Sequence, residues 1–426
     1  MRFMFETLGC RLNEAEISGW RRQVRAAGHM VVADVDSADV VVFNSCAVTA
    51  KAARTSRKTT RGFTRQNPKV RVVITGCFSS LEGDVAAALE GVDLVVGNED
   101  KSVLVPMALR EFGGLEMPKH AMDPDAQFFV DNRKTRGFIK VQDGCRHQCT
   151  YCIVTEARGS ERSRTIESVV KECQKMVAAG FKELVLSGVH IGGYGDDIGE
   201  SLRNLVAAVL ADVDVARLRL GSMEPWAVDS HLLSLFDDRR MMPHMHLPLQ
   251  SGSDAVLRRM ARRCTRESYG QMVAQARAAV PHLNITTDII VGFPGESEDD
   301  HIQTLESVER FQFGDVHAFS FSSSAGTPAS RMGGHLPKEL IRSRSRELSV
   351  VVERSRERSA ERMSGQVRST LFETRSSRNV GMWSGLTDTF HRVEVKVEGG
   401  GALRGQIVPV KLTGERVGQV LRGVLS

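Results

Sequence analysis

The hydrophobic pattern changes character along the chain. Over the first hundred residues, short apolar runs alternate with longer amphipathic stretches. Arg2 to Leu8 alternates into Gly9-Cys10, and a helical stretch from Glu14 to Ala27 follows. Val40 to Phe43 is continuously apolar and leads into Asn44-Ser45-Cys46. Val70 to Thr75 leads into Gly76-Cys77, and Val92 to Val96 reads as a fourth strand. Short β-branched runs separated by helices predict a parallel sheet. From Phe112 to Arg136 the pattern fades into Gly, Pro and mixed charge, as a linker does.

Periodicity resumes at Gly137. Strands are expected at Phe138–Gln142, Glu183–Ser187, Arg217–Gly221, His244–Pro248, Ile285–Val291 and Val316–Phe321, with helices such as Ile166–Ala179 and Tyr269–Ala279 between them. Six such βα units predict an open or closed parallel barrel, whose active site gathers at the carboxyl face. Lys338 to Arg362 is a charged helix with apolar Leu340, Ile341, Leu348, Val351 and Val352. After Gln366 the period drops to two, as in Val393-Glu394-Val395-Lys396-Val397, with a Gly-rich turn at 399–401. The expected fold is therefore α/β. It has an N-terminal parallel-sheet domain (1–112), a linker (113–136), a central partial (β/α) barrel (137–362) and a small C-terminal antiparallel β domain (363–426).

Composition adds limits. The chain has 426 residues, 41% hydrophobic and 26% charged, as an ordinary globular protein does. No apolar run approaches the roughly 18 residues of a membrane span, and the opening strand carries no secretory signal. The cytoplasm is the expected compartment, with no membrane partner. The cysteines should then stay reduced, which favours metal or catalytic roles over disulfides. Net charge is only +5, but it is unevenly spread. Lys51 to Arg71 contains no Asp or Glu, and Arg258, Arg259, Arg262, Arg263 and Arg266 crowd together. Such runs are ordinarily solvated surface; several of them beside cysteine motifs point to a polyanion such as RNA. Arg54, Arg57 or Lys58, Arg61 and Arg65 recur at helical spacing, forming one positive stripe.

Six of the eight cysteines carry the chemistry. Cys145, Cys149 and Cys152 form a CxxxCxxC directly after an expected barrel strand. Cys10, Cys46 and Cys77 are far apart in sequence, yet each closes an expected strand, where parallel sheets bind ligands. Three thiolates can hold three irons of a 4Fe–4S cube and leave the fourth open. Zinc is the alternative for the compact triplet, but it ordinarily needs a fourth Cys or His; His147 lies inside the loop, and no second CxxC follows. Small buried cysteines are the alternative for the dispersed trio. Tyr151 is placed to shield a cluster from water. Cys173 shares a helical face with Val169 and reads as core; Cys264 sits in an Arg-rich stretch and does not read as a ligand.

On these motifs the chain resembles the radical S-adenosylmethionine methylthiotransferases, over nearly its whole length. The resemblance rests on Thr7-Leu8-Gly9-Cys10-Arg11-Leu12-Asn13, Asn44-Ser45-Cys46-Ala47-Val48-Thr49 and Thr75-Gly76-Cys77. It continues in CxxxCxxC followed by Arg158-Gly159 and Arg162-Ser163-Arg164, then His246 to Ser253 and Asp288 to Glu296. It implies two 4Fe–4S clusters and S-adenosylmethionine. The cluster on Cys145, Cys149 and Cys152 would cleave the cofactor to a 5′-deoxyadenosyl radical, and the one on Cys10, Cys46 and Cys77 would present the sulfur that is methylated and transferred. Arg164 would pair with the cofactor carboxylate; Ser187, Gly188, Glu224, Gln250 and Asp288, at strand ends, would contact its ribose or methionine. The C-terminal domain resembles the family's RNA- or protein-binding appendage (TRAM-like). An electron donor such as flavodoxin or ferredoxin and a sulfur source are implied partners.

Leu8 before Gly9-Cys10, Arg11 after it, and Ser187-Gly188-Val189-His190 resemble the members that act on threonylcarbamoyladenosine 37 of tRNA. The alternatives are isopentenyladenosine 37 and an aspartate of a small-subunit ribosomal protein; a metal-containing RNA-binding module is the non-enzyme alternative. The chain departs from the family at Thr155, where relatives carry Pro, and at Ser320, Phe321 and Ser324, where they carry a Pro-Tyr-Ser pattern with a later Arg.

Overall fold

The computed structural model describes residues 1–113, 135–377, 379–397 and 401–426. Most of the expected linker and part of the 399–401 turn lie outside the described residues. By its packing the chain divides into two compact units. One comprises Met1–Phe129, Asp143–Arg162 and Ser322–Ser330; the other comprises Val130–Gln142, Ser163–Phe321 and Arg331–Ser426.

The first unit is built on a five-stranded parallel sheet of β1 (Arg2–Thr7), β2 (Met30–Val32), β3 (Val40–Ser45), β4 (Arg71–Gly76) and β5 (Leu94–Val96), in the order β2-β1-β3-β4-β5. Alternate side chains of a strand point to opposite faces, and here both faces are covered. Val40 and Val42 pack with Phe3, Phe5, Trp20 and Leu104. Val41 and Phe43 pack with Phe63, Val72, Ile74 and Phe78 on the other side. Burial on both faces is why β3 reads as an unbroken apolar run. β2 escaped the pattern because it is three residues long and only partly buried at the sheet edge.

Helices α1 (Arg11–Ala26), α2 (Ala50–Gln66) and α3 (Cys77–Leu81) follow β1, β3 and β4. Thr49 caps α2, its side chain accepting from the Ala52 N–H. The buried stripe of α2 is Ala53, Ser56, Thr60 and Phe63.

The second unit contains six parallel strands in two sheets of three, Arg136–Lys140, Glu183–Ser187 and Arg217–Leu220, then His244–His246, Asn284–Val291 and Asp315–Ser320. Parallel bridges Leu218–Met241 and Ser222–His246 join the sheets into a partial barrel. Every expected strand is present, shifted by at most a few residues at its ends. Helix Lys338–Met363 packs along the last strand, burying Leu348, Val351 and Val352. A closed five-stranded barrel ends the chain. Four of its pairings are antiparallel and the fifth, Arg392–Lys396 with Val420–Leu425, is parallel. No described helix is long and apolar enough to cross a membrane.

Candidate functional site

Because β1, β3 and β4 are adjacent, their carboxyl ends bring Cys10, Cys46 and Cys77 to one edge of one sheet, with neighbouring strands about 4.8 Å apart. Ser45 is in register with Gly76, so Cys46 and Cys77 leave their strands side by side. Gly9 lies so close to Cys46 that a Cβ there would sit 3.3 Å from its Sγ; its φ of +126° also favours glycine. Ser56 of α2 holds the Cys46 backbone at both ends, accepting from its N–H at 3.2 Å and donating to its carbonyl at 2.8 Å. Burial above all, with the neighbouring Cys77 and Cys10 adding and the Val48 backbone and Arg158 opposing, raises the Cys46 thiol to about 11. Metal binding through Cys46 would therefore release its proton.

The CxxxCxxC loop belongs to the same unit. Gly144 has φ +73°, and a Cβ there would lie 1.9 Å from the Ser160 carbonyl oxygen, so only glycine admits the turn into Cys145. The Cys145 N–H donates to the Gly159 carbonyl and the Cys152 N–H to the Cys149 carbonyl. The His147 N–H points at the Cys145 Sγ at 3.4 Å, a donor of the kind that tunes cluster sulfurs. Thr155, one of the departures, donates its hydroxyl to the His147 carbonyl at 2.9 Å, a tie that proline could not make. The helix Val154–Arg158 packs against α3, placing Ala157 in the same core as Phe78. None of the eight cysteines is in a disulfide. Two sets of three thiols, one lined up at strand ends and one in a hydrogen-bonded loop, suit clusters with an open position.

A buried ion network lies beside the trio. Arg158 reaches the Glu16 carboxylate at 3.2 Å and Asp143 at 2.9 Å through Nη1, and Asn13 Oδ1 at 2.9 Å through Nη2. Lys101 Nζ lies 2.6 Å from Glu16, and Asn44 also donates to Glu16, at 2.9 Å. Burial opposes the Arg158 charge, but Glu16, Cys77, Asp143 and Cys10 outweigh it. Arg158, Asn13 and Asn44 belong to the motifs quoted above. Glu16 and Lys101 carried no signal in the sequence, and neither did the pairing of any of these residues.

In the second unit Ser187 ends its strand buried, and a Cβ on Gly188 would touch Gln142 Oε1 at 3.0 Å. Glu224 lies 3.4 Å from His190. Gln250 is buried with φ +74°, in the left-handed region, and exchanges backbone hydrogen bonds with Asp288 and Ile290. Non-glycine residues held in this region cluster at active sites and ligand clamps. Asp288 stands 3.2 Å from both His246 Nε2 and His317 Nδ1. Burial pushes its carboxyl up, but the two histidines outweigh that and hold it far below the usual range. His317 was not singled out in the sequence. The Arg164 guanidinium is taken up by Glu172, the Ser168 hydroxyl and carbonyl, and the Lys140 carbonyl, so it anchors the segment after Ser163. Tyr151 is half-buried in the cysteine loop. Cys173 is fully buried, as expected of a core residue, and Cys264 is also buried. Ser320 meets Ser345, and the Phe321 ring packs edge-on against Phe293; Ser324 accepts from Thr327.

Residues 2–97 match the uncharacterized protein family UPF0004, and residues 139–308 the Radical SAM superfamily. The threonylcarbamoyladenosine tRNA methylthiotransferase MtaB of Bacillus subtilis (strain 168) is 32% identical over 422 residues, covering 96% of this chain and 93% of the relative. The chain belongs to the radical S-adenosylmethionine methylthiotransferases. Another methylthiotransferase of that name, from Thermotoga maritima, is 36% identical over 378 residues, 86% of each chain. The tRNA-2-methylthio-N(6)-dimethylallyladenosine synthase of Bacillus subtilis (strain 168) is 30% identical over 99% of this chain and 86% of the relative. Among solved structures, the radical S-adenosylmethionine methyltransferase TsrM from Kitasatospora setae superposes with a TM-score of 0.57 at 15% identity, over 90% of this methylthiotransferase and 80% of that chain. That likeness shows the fold.

Proposed function

We propose that this methylthiotransferase converts N6-threonylcarbamoyladenosine 37 of tRNA to its 2-methylthio derivative. The observation that carries the reading is the meeting of Cys10, Cys46 and Cys77 at the carboxyl edge of one sheet, in a chain that also bears a CxxxCxxC loop. The identities of 32% and 36% to the threonylcarbamoyladenosine enzymes support this substrate. In this reading residues 1–112 present the sulfur, 137–362 bind S-adenosylmethionine and 363–426 bind RNA.

Cys145, Cys149 and Cys152 would hold one 4Fe–4S cluster, and Cys10, Cys46 and Cys77 the other. When bound, these groups supply one-electron cleavage of S-adenosylmethionine and a sulfur to be methylated and transferred. The protein's own residues bind, orient and enclose. Tyr151 and the apolar neighbours of Cys46 exclude water; Ser187, Gly188, Glu224, Gln250 and Asp288 line the cofactor's strand ends. Arg54, Lys58, Arg61 and Arg65 lie along one face of α2, opposite its buried stripe. Arg57 instead pairs with Glu82 at 3.0 Å. Exposed Arg375, Arg392, Lys396, Arg404 and Lys411 on the terminal barrel supply further phosphate contacts. A single unstacked anticodon-loop base is the accessible kind of RNA target.

The decisive experiment is reconstituted turnover with tRNA, a chemical reductant and labelled S-adenosylmethionine. The expected products are 5′-deoxyadenosine, S-adenosylhomocysteine and a labelled 2-methylthio-threonylcarbamoyl nucleoside. Label appearing on isopentenyladenosine, or on a ribosomal protein and not on tRNA, would redirect the assignment; zinc in place of iron and sulfide would remove it.

A further inference from the structure

The buried network couples the two cysteine motifs through one side chain. Arg158 lies six residues after Cys152 and joins the segment that starts the CxxxCxxC loop to the one that carries Cys10. On one side its Nη1 holds Asp143, whose Oδ1 also accepts from the Gly144 N–H at 2.9 Å, at the head of the loop. On the other, its Nη2 holds Asn13 Oδ1, the atom to which the Cys10 thiol points at 3.7 Å. The Asn13 amide donates to the Leu8 carbonyl at 3.0 Å, so the asparagine is fixed from both ends. Asn98 donates to the carbonyl of Ala157, fixing the turn from which Arg158 springs. The charge of Arg158 also acts on Cys77 and Cys46.

We propose that Arg158 is a positioning residue for both triplets: its guanidinium locks Asn13 against Cys10 and Asp143 against the CxxxCxxC loop. Its buried charge raises the reduction potential of the centre held by Cys10, Cys46 and Cys77. The proposal rests on the cluster reading above. A positive charge beside a cluster favours the reduced, more negative form, and low dielectric amplifies the effect. Glu16 acts with the opposite sign, since its carboxylate partly neutralises Arg158 and Lys101.

The test uses the full chain carrying Cys145→Ala, Cys149→Ala and Cys152→Ala, so that only the trio binds iron. Iron, sulfide and the electron paramagnetic resonance signal are followed through a redox titration. Arg158→Gln should lower the ratio of reduced to oxidised cluster about tenfold at fixed poise, about 59 mV for one electron. Arg158→Lys should restore most of that ratio, and Glu16→Gln should move it upward. A merely structural role would shift all three variants alike or leave the potential in place, and either result overturns the proposal while iron is retained. If Arg158→Gln does not fold, the near-parental ratio expected of Arg158→Lys against the raised ratio expected of Glu16→Gln still decides. Absence of iron and sulfide in the parent triple variant would overturn the cluster reading itself, and this proposal with it.

Discussion

Two clusters of buried ions, one in each unit, use the same residue types in different balance. Beside the cysteines, the buried cations Lys101 and Arg158 face the buried carboxylates of Glu16 and Asp143, with the half-exposed Arg162 at 3.9 Å from Asp143. In the second unit Arg136, Arg217 and Arg219 gather around Glu183, which is fully buried. The excess positive charge there is met by Glu373, 3.6 Å from Arg136, and by backbone carbonyls. Arg217 donates to those of Leu386 and Thr387, and Arg219 to those of Thr387 and Asp388. Arg219 also lies over the Phe390 ring. This second cluster clasps the terminal barrel to the strands of the partial barrel. The first holds Glu16 between Lys101 and Arg158 and extends its remaining polar reach towards a thiol. Buried arginine alone does not mark a site; what its other nitrogens reach does.

The largest expected effect separates the cysteine sets. Cys10→Ala should reduce methylthiolated nucleoside to background while 5′-deoxyadenosine continues to form; Cys145→Ala should abolish both. Loss of cofactor cleavage in Cys10→Ala would contradict a division of labour.

Next come the two ion clusters. Arg158→Ala takes the buried cation from Asp143, and Arg217→Ala takes a charged donor from the Leu386 and Thr387 carbonyls. The first should cost about 3–5 kcal/mol and the second about 1–3 kcal/mol in denaturant unfolding. Only Arg158→Ala should lower bound iron. Arg217→Ala should instead loosen the terminal barrel, read as faster hydrogen exchange in residues 382–397 with iron unchanged. Equal iron loss in both would erase the contrast.

Acidity probes the second unit at two levels. Burial, with Arg362 and Arg368 adding, lowers His391 to about 4, and its ring is hydrogen-bonded by Ser359 and Thr389. A histidine depressed on folding contributes stability that is whole above its unfolded pKa near 6.5. That stability is lost as the pH falls towards 4, here roughly 3 kcal/mol. His391→Asn should flatten unfolding free energy between those limits. Burial raises Glu183, but Arg219, Arg217 and Arg136 outweigh it and hold it at about 2. Its contribution is present above about pH 4.5 and disappears only towards pH 2. A second, more acidic step should therefore survive in His391→Asn and vanish in Glu183→Gln.

The smallest effect belongs to the basic stripe of α2. Each of Arg54→Gln, Lys58→Gln, Arg61→Gln and Arg65→Gln should weaken tRNA binding modestly. Each should also flatten the plot of log affinity against log salt, by about 0.7–0.9 for every phosphate no longer neutralised. An unchanged slope in the fourfold variant would move the RNA surface elsewhere.

The strands that carry chemistry were legible because burial imposes a regular pattern. β3 is apolar on both faces, and Glu183–Ser187 is buried at every position. Edge strand β2 lacked that pressure. The parallel closing pair of the terminal barrel was invisible for another reason, since strand partners depend on register across the chain. The role of Thr155 became legible only with its hydroxyl on the His147 carbonyl, a tie between two loop positions that no periodicity announces.

The amino-acid sequence by itself determined which residues could bind metal, that three of them would end strands, and to which enzymes the chain is akin. These follow from side-chain chemistry and short-range periodicity, which are local. Tertiary structure alone decided that β1, β3 and β4 would be neighbours, so that cysteines 36 and 31 positions apart come to one edge of the sheet. It also decided that Arg158 would find Asn13 and Glu16, 145 and 142 residues away. No local pattern encodes such a pairing, because the cost of burying a charge is offset only by partners that the whole fold delivers.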